Sequence, residues 1–343
     1  MTRHTPVAAG LLAATLLLAL LLPGCAGGDS DDAAPGGRDG AFPVTIEHKF
    51  GSTEITEEPQ RVLSLGYQEH DPILALGVTP IAVRYWFGDE SDVIFPWAED
   101  EAGGANPEIL NMPDAINFEK IAALEPDLIV GVYSGMTARD YELLSQLAPT
   151  VAQTDEYIDY GTPWQDHTLT VGKALGRADR ARELIADVEA RFDEVRAAHP
   201  DWEGRSVVVA TYGEDAQFSA FASEDPRARF FTSLGFQVPA EIDQLAGDQF
   251  YTEISSERAD LLDVDLLVWD QLSYTPGGRA TVEANPLIQR LGAMQDGRAL
   301  FPPEDLEFAF AFNTVLSLPF LLDGVVPMLE AATDGDPATV PAN

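Results

Sequence analysis

Residues able to do chemistry gather at six places in the 343-residue chain, each at or after an apolar run that reads as a strand. Tyr67, Glu69 and His70 follow 61–65; Arg84, Tyr85 and Trp86 follow 80–83; Tyr133 and Ser134 follow 128–131. Tyr157 lies past 150–153, Tyr212 and Phe218 past 206–211. Trp269, Asp270, Gln271 and Tyr274 close or follow 266–269. Ligands of open α/β sheets bind beyond the carboxyl ends of the strands, so position alone makes these the candidates. The set is mostly rings with one arginine. Rings bury a large, partly apolar ligand, and a guanidinium fork holds oxygens that carry partial negative charge.

Most of these residues have a second reading. Trp269 ends an apolar strand and could be core. Arg84 could pair with Asp89. Tyr85, Trp86 and Phe87 are consecutive, so at least one faces outward. Asp71 reads as the cap of the helix after it. Glu69-His70-Asp71 offers one histidine and two acids, a weak metal set, and His4, His48, His167 and His199 scatter without ligand spacing. No metal site is expected. Nucleophile-elbow, P-loop and dinucleotide fingerprints are missing, since Gly131-Val-Tyr-Ser-Gly135 has the wrong offset. No catalytic residue and no cofactor are expected.

The elements that position the candidates alternate. Strands at 61–65, 80–83, 128–131 and 150–153 interleave with helices at 72–76, 117–124 and 137–147, after a weak edge strand within 42–50. Thr162-Pro163 opens another helix that Gly176 closes. Beyond 204 the pattern restarts: strand 206–211, helix 225–234, strand 266–269, helix 286–291, strand 298–301 and a closing helix 313–332. Strands alternating with helices mean parallel sheets. Between the halves runs 178–198, free of Gly and Pro and rich in Ala, Arg, Glu and Leu. Leu184, Val188, Phe192 and Val195 share one helical face, Asp187 and Arg191 form an i,i+4 pair, and His199-Pro200 ends the run. Its place suggests a strut about 30 Å long between two lobes; one more surface helix in a single α/β domain is the other reading.

Acids number 57 against 20 bases, a net charge of −37, with 17 Arg and 3 Lys. That field repels nucleic acid and anionic membrane, so neither is an expected partner. The one cysteine, Cys25, follows a leader with a thin basic start, an apolar run at 7–22 and Leu22-Pro23-Gly24. This is an export signal that resembles a lipobox, with the cysteine as lipidation site. Plain cleavage or a membrane anchor are the alternatives, though about 16 apolar residues are short for a span. Residues 26–41, rich in Gly, Asp, Ser and Pro, read as a tether.

Five stretches together resemble the solute-binding proteins of ABC importers for iron-siderophores and cobalamin, the class with a single helix between its lobes. They are RVLSLGYQEHDPILALGVTPIAV at 61–83, INFEKIAALEPDLIVG at 116–131, QLAPTV at 146–151, ISSERADLLDVDLLVWD at 254–270 and LSLPFLLDGVVPML at 316–329. Asp71 and the RYWFGD…FPWAED insert at 84–100 resemble the ferric-siderophore branch. The resemblance implies an α/β fold of two Rossmann-like lobes with parallel sheets joined by one bridging helix. It divides the chain into signal 1–24, lipidated cysteine and tether 25–41, first lobe 42–175, bridge 178–198, second lobe 204–332 and tail 333–343.

It further implies a monomeric, non-enzymatic lipoprotein on the outer face of the cytoplasmic membrane, touching the membrane only through its anchor. Such a protein captures a ferric siderophore with Tyr67, Arg84, Tyr85, Trp86, Tyr133, Tyr212, Phe218, Trp269 and Tyr274. It then docks on a permease through acids of each lobe: Glu142 (with Asp140 beside it) and Glu224 (with Asp225). Cobalamin or haem is the alternative cargo. An exported enzyme acting on a metal chelate, with Glu69, His70 or Asp270 as acid or base, is the alternative class.

Overall fold

The computed structural model describes residues 41–88, 93–112, 115–213 and 217–339. The leader, Cys25, nearly all of the tether, Asp89 and the last four residues lie outside the described residues. A hairpin of β1 (Val44–His48) and β2 (Gly51–Ile55) precedes two five-stranded sheets. The first holds β3 (Val62–Ser64), β4 (Ala82–Arg84), β5 (Glu108–Leu110), β6 (Leu128–Gly131) and β7 (Thr150–Ala152). Its order is β5-β4-β3-β6-β7 and every pair is parallel. The strands β3, β6 and β7 are buried along their length and mostly apolar because both faces are covered. Val62, Leu128 and Val130 enter one core while Leu63 and Ile129 enter the other. Chain direction across this sheet reverses between β3 and β6, which is where a doubly wound sheet opens its crevice.

The second sheet holds β8 (Val207–Tyr212), β9 (Phe218–Phe221), β10 (Tyr251–Ile254), β11 (Leu266–Trp269) and β12 (Ala299–Leu300), in the order β10-β9-β8-β11-β12. The two-lobed α/β architecture stands, with one correction: this sheet is mixed. β9 folds back antiparallel on β8, and β10 runs antiparallel to β9. A hairpin needs no crossover helix, so alternation of strand and helix gave no sign of it. The expected helix at 286–291 is a 3₁₀ turn, Ile288–Arg290. The helix expected from Thr162 starts at Trp164, because Pro163 sits in an extended conformation and Thr162 makes no cap bond.

The strut is a helix of 21 residues, Ala178–Ala198. Ala181 and Leu184, from its first half, pack on the first lobe, while Val188 and Phe192 enter the core of the second. Gly172 lets the preceding helix, Trp164–Ala174, lie against it: a Cβ there would stand 2.4 Å from that of Ala181. Arg191 does not pair with Asp187. It reaches sideways to Asp323 of the closing helix, Ser317–Thr333, at 2.5 Å. A further helix absent from the sequence reading, Glu304–Phe312, ends at left-handed Asn313 just before the closing helix. No helix among the described residues is long and apolar enough to cross a membrane.

Candidate ligand cleft

At the switch between β3 and β6 the two loops are stapled together. Tyr67 donates its N–H to the Tyr133 carbonyl at 3.2 Å, and the Glu69 carboxylate accepts from the N–H groups of Tyr133 at 2.5 Å and Gln68 at 3.2 Å. Glycine is required at position 66, where a Cβ would fall 1.9 Å from that carboxylate. Burial raises the Glu69 pKa to about 7, against the pull of those amide hydrogens. His167 lies 3.8 Å from it, and burial drops the pKa of His167 to about 4 and of His70 to about 3, so both are neutral at pH 7. Glu69 is therefore a structural acceptor with no free face for acid–base work.

Asp71 is not a helix cap. It lies inside the first turn of His70–Ala75, fully buried, and its carboxylate accepts from Trp97 Nε1 at 2.8 Å and from the Thr314 hydroxyl of the other lobe. Burial raises its pKa to about 7. Gln68 reaches the same lobe, donating to the Ala311 carbonyl at 2.9 Å. The lobes are thus tied at their base by polar bonds set among Trp97, Phe312 and Leu318.

Rings are layered above this base. The Arg84 guanidinium lies 4.3 Å over the Tyr67 ring and donates to the carbonyls of Ser134 and Met112 at 3.4 and 3.3 Å. At 6% exposure it is a support for Tyr67 and not a free fork at the surface. Tyr67 stacks on Trp86 at 5.1 Å, and Trp86 approaches Tyr133 at 6.2 Å and Phe87 at 4.5 Å. Tyr133 is buried, with its hydroxyl pKa pushed up by that burial. Tyr85 folds its hydroxyl onto the Gly88 carbonyl at 2.9 Å.

Across from Tyr85, Trp86 and Phe87 stand Tyr274, 61% exposed, with Glu304 and Phe308. Between them is a cavity of about 570 Å³, of the size that holds a small-molecule ligand. Three expected wall residues are elsewhere. Phe218 and Trp269 are 0% exposed in the second-lobe core. Side chains on a strand alternate, and Trp269 shares its face with Leu267 under Val282, Ile288 and Leu291. Tyr212 lines a separate open depression of the second lobe, where its hydroxyl accepts from Asn285 at 3.0 Å. Tyr157 is tied to Asp166 at 2.6 Å within the first lobe. Among the described residues no group of three His, Cys, Asp or Glu could hold a metal ion.

The sequence profile of the periplasmic binding proteins matches residues 62–306. The chain belongs to that family. The ferric-anguibactin-binding protein FatB of Vibrio anguillarum is 28% identical to this binding protein, over 83% of this chain and 87% of its own. A solved periplasmic solute-binding protein of Mycobacterium smegmatis is 36% identical, with a TM-score of 0.76 over 84% of this chain and 98% of its own. PiaA of Streptococcus pneumoniae, solved with ferrichrome, is 28% identical, with a TM-score of 0.73 over 85% and 99%. These relatives are binding proteins, not enzymes.

Several residues in or near this binding protein's cleft escaped the sequence reading: Glu304 and Phe308 line the cavity, while Arg227 and Glu307 do not. Arg227, in the first turn of the helix Pro226–Ser233, donates to Asp270 at 2.8 Å and Asp225 at 3.1 Å and lies 4.4 Å over Phe221. Its signal was a cation at a helix N-terminus, where the dipole disfavours it and only local acids justify it. Asp270 is held in that pair and is not a free acid or base. Glu304 and Phe308 share a helical face by their spacing of four, but their helix was not expected. Glu307 accepts from the N–H groups of Leu272 and Ser273 at 2.7 and 3.2 Å and so fixes the turn that presents Tyr274.

Proposed function

We propose that this protein is the extracytoplasmic receptor of an ABC importer, capturing a ferric siderophore between its lobes and delivering it to the permease. The ring-lined cavity carries the reading: Tyr85, Trp86 and Phe87 of one lobe face Tyr274 and Phe308 of the other. Rings on both sides can bury the arms of a chelate whose iron is already coordinated. The names of FatB and of the PiaA complex point to the same cargo class. In this reading Arg84 acts by holding Tyr67, and Tyr67 and Tyr133 back the wall. Titrating ferric chelates while following tryptophan fluorescence tests it, since Trp86 is in the wall; saturable quenching is expected. No quenching by hydroxamate, catecholate or citrate complexes would refute it.

Lipid anchoring through Cys25 rests on Leu22-Pro23-Gly24-Cys25 and the export leader. Cys25→Ser should release the protein from the membrane fraction, and unchanged retention would argue for an uncleaved anchor.

A further inference from the structure

We infer that the cleft selects its chelate by charge, admitting uncharged and cationic ferric complexes and rejecting anionic ones, with Glu304 as the residue that sets the preference. The inference rests on the reading that the cleft binds a ferric chelate. Tris-hydroxamates with or without an amine arm belong to the admitted class; tris-catecholate and citrate complexes belong to the rejected one.

Among the described residues that line the cavity, Glu304 is the one charged side chain; the rest of the wall is Tyr85, Trp86, Phe87, Tyr274, Phe308 and small residues. Glu304 is exposed at the start of its helix. Ring faces carry negative potential and attract cations, so walls and carboxylate act in the same direction. No arginine offsets them at the surface. Arg84 is buried beneath Tyr67, and Arg227 is matched by Asp225 and Asp270 together. In the depression that adjoins the cavity through Ser273 and Glu304, Arg279 donates to Glu283 at 2.7 Å and lies over Phe301, while Glu307 adds another acid. The internal segments outside the described residues, 89–92, 113–114 and 214–216, contain no Lys or Arg in the sequence. An anionic chelate would therefore enter ring-lined space without a counter-cation, inside a protein of net charge −37.

The test is a fluorescence titration of the mature protein with four ferric complexes: desferrioxamine B (cationic), ferrichrome (neutral), citrate and a tris-catecholate (both anionic). The cationic complex should bind about threefold or more tighter than the neutral one, and both about tenfold or more tighter than either anion, equal to ~1.4 kcal/mol. Glu304→Gln should narrow the cationic-to-neutral ratio about threefold, and Glu304→Arg should bring the anions to measurable affinity. Added salt should narrow the same ratio in the wild type. Tight binding of citrate or the catecholate by the wild type, above all if Arg84→Ala abolishes it, overturns the charge inference and leaves the carrier reading intact. An unchanged ratio in Glu304→Gln overturns the role of Glu304. Binding of none of the four overturns both readings.

Discussion

Asp71 carries its charge at a cost that depends on pH. In the fold its pKa is about 7, against 3.8 for an unburied aspartate, because burial disfavours the carboxylate more than the bonds from Trp97 and Thr314 favour it. Between those values the folded protein holds a proton that the unfolded chain has released. Stability therefore falls as pH rises from about 4 to 7. Asp71→Asn keeps an acceptor for Trp97 and Thr314, turns its amide toward His70, 3.8 Å away in the wild type, and does not titrate. Its stability relative to wild type should rise by on the order of 1–3 kcal/mol between pH 5 and pH 8. Urea unfolding at the two pH values measures this; a difference that stays constant would mean Asp71 is ionised throughout.

Helices and strands were legible wherever one period dominated. β6 and β11 are continuous apolar runs buried on both faces, and 178–198 has one apolar stripe and no breaker. Glu304–Phe312 was hidden because Leu306, Phe308, Phe310 and Phe312 alternate like a strand, yet the helix is buried nearly all round and needs no polar face. The same ambiguity governed the site. Position after a strand pointed to Tyr85, Trp86 and Tyr274, which line one cavity, but it could not say which face Trp269 takes, nor that β9 would fold Phe218 inward. Where the helices touch, the tolerance is small. Gly172→Ala would press a methyl against Ala181 and should destabilise by about 1–3 kcal/mol. Thermal melting reads this directly, and a Tm equal to wild type would show that the strut shifts freely.

At the scale of the whole molecule the lobes share a core. Trp97, Ala98 and Ala102 of the first lobe pack in one cluster with Phe310, Phe312 and Leu321 of the second, beside the strut. Wide opening would expose that seam, so X-ray scattering profiles with and without chelate should nearly superpose; marked compaction on binding would contradict this. The proposed docking on a permease would use the outer surfaces instead. Asp140 is committed to a capping box with Thr137, and Asp225 is buried against Arg227, but Glu142 and Glu224 are exposed and pair with Arg139 and Arg229. Glu142→Arg combined with Glu224→Arg should abolish cellular uptake while chelate affinity stays unchanged. Normal uptake by the double variant would clear both residues of that role.

The bonds from Gln68 to Ala311 and from Thr314 to Asp71 join residues 243 positions apart. A chain exported amino end first would therefore bring Asp71 across the membrane long before its partner. Until then the first lobe must either leave that carboxyl in water or bury it with Trp97 as its sole side-chain donor among the described residues. Closure of so long a loop is slow, because its entropy is lost before any contact compensates. The first lobe to emerge thus completes its packing only together with the second, and a chain truncated before Glu304 should be degraded in both lobes rather than in one, as limited proteolysis would show.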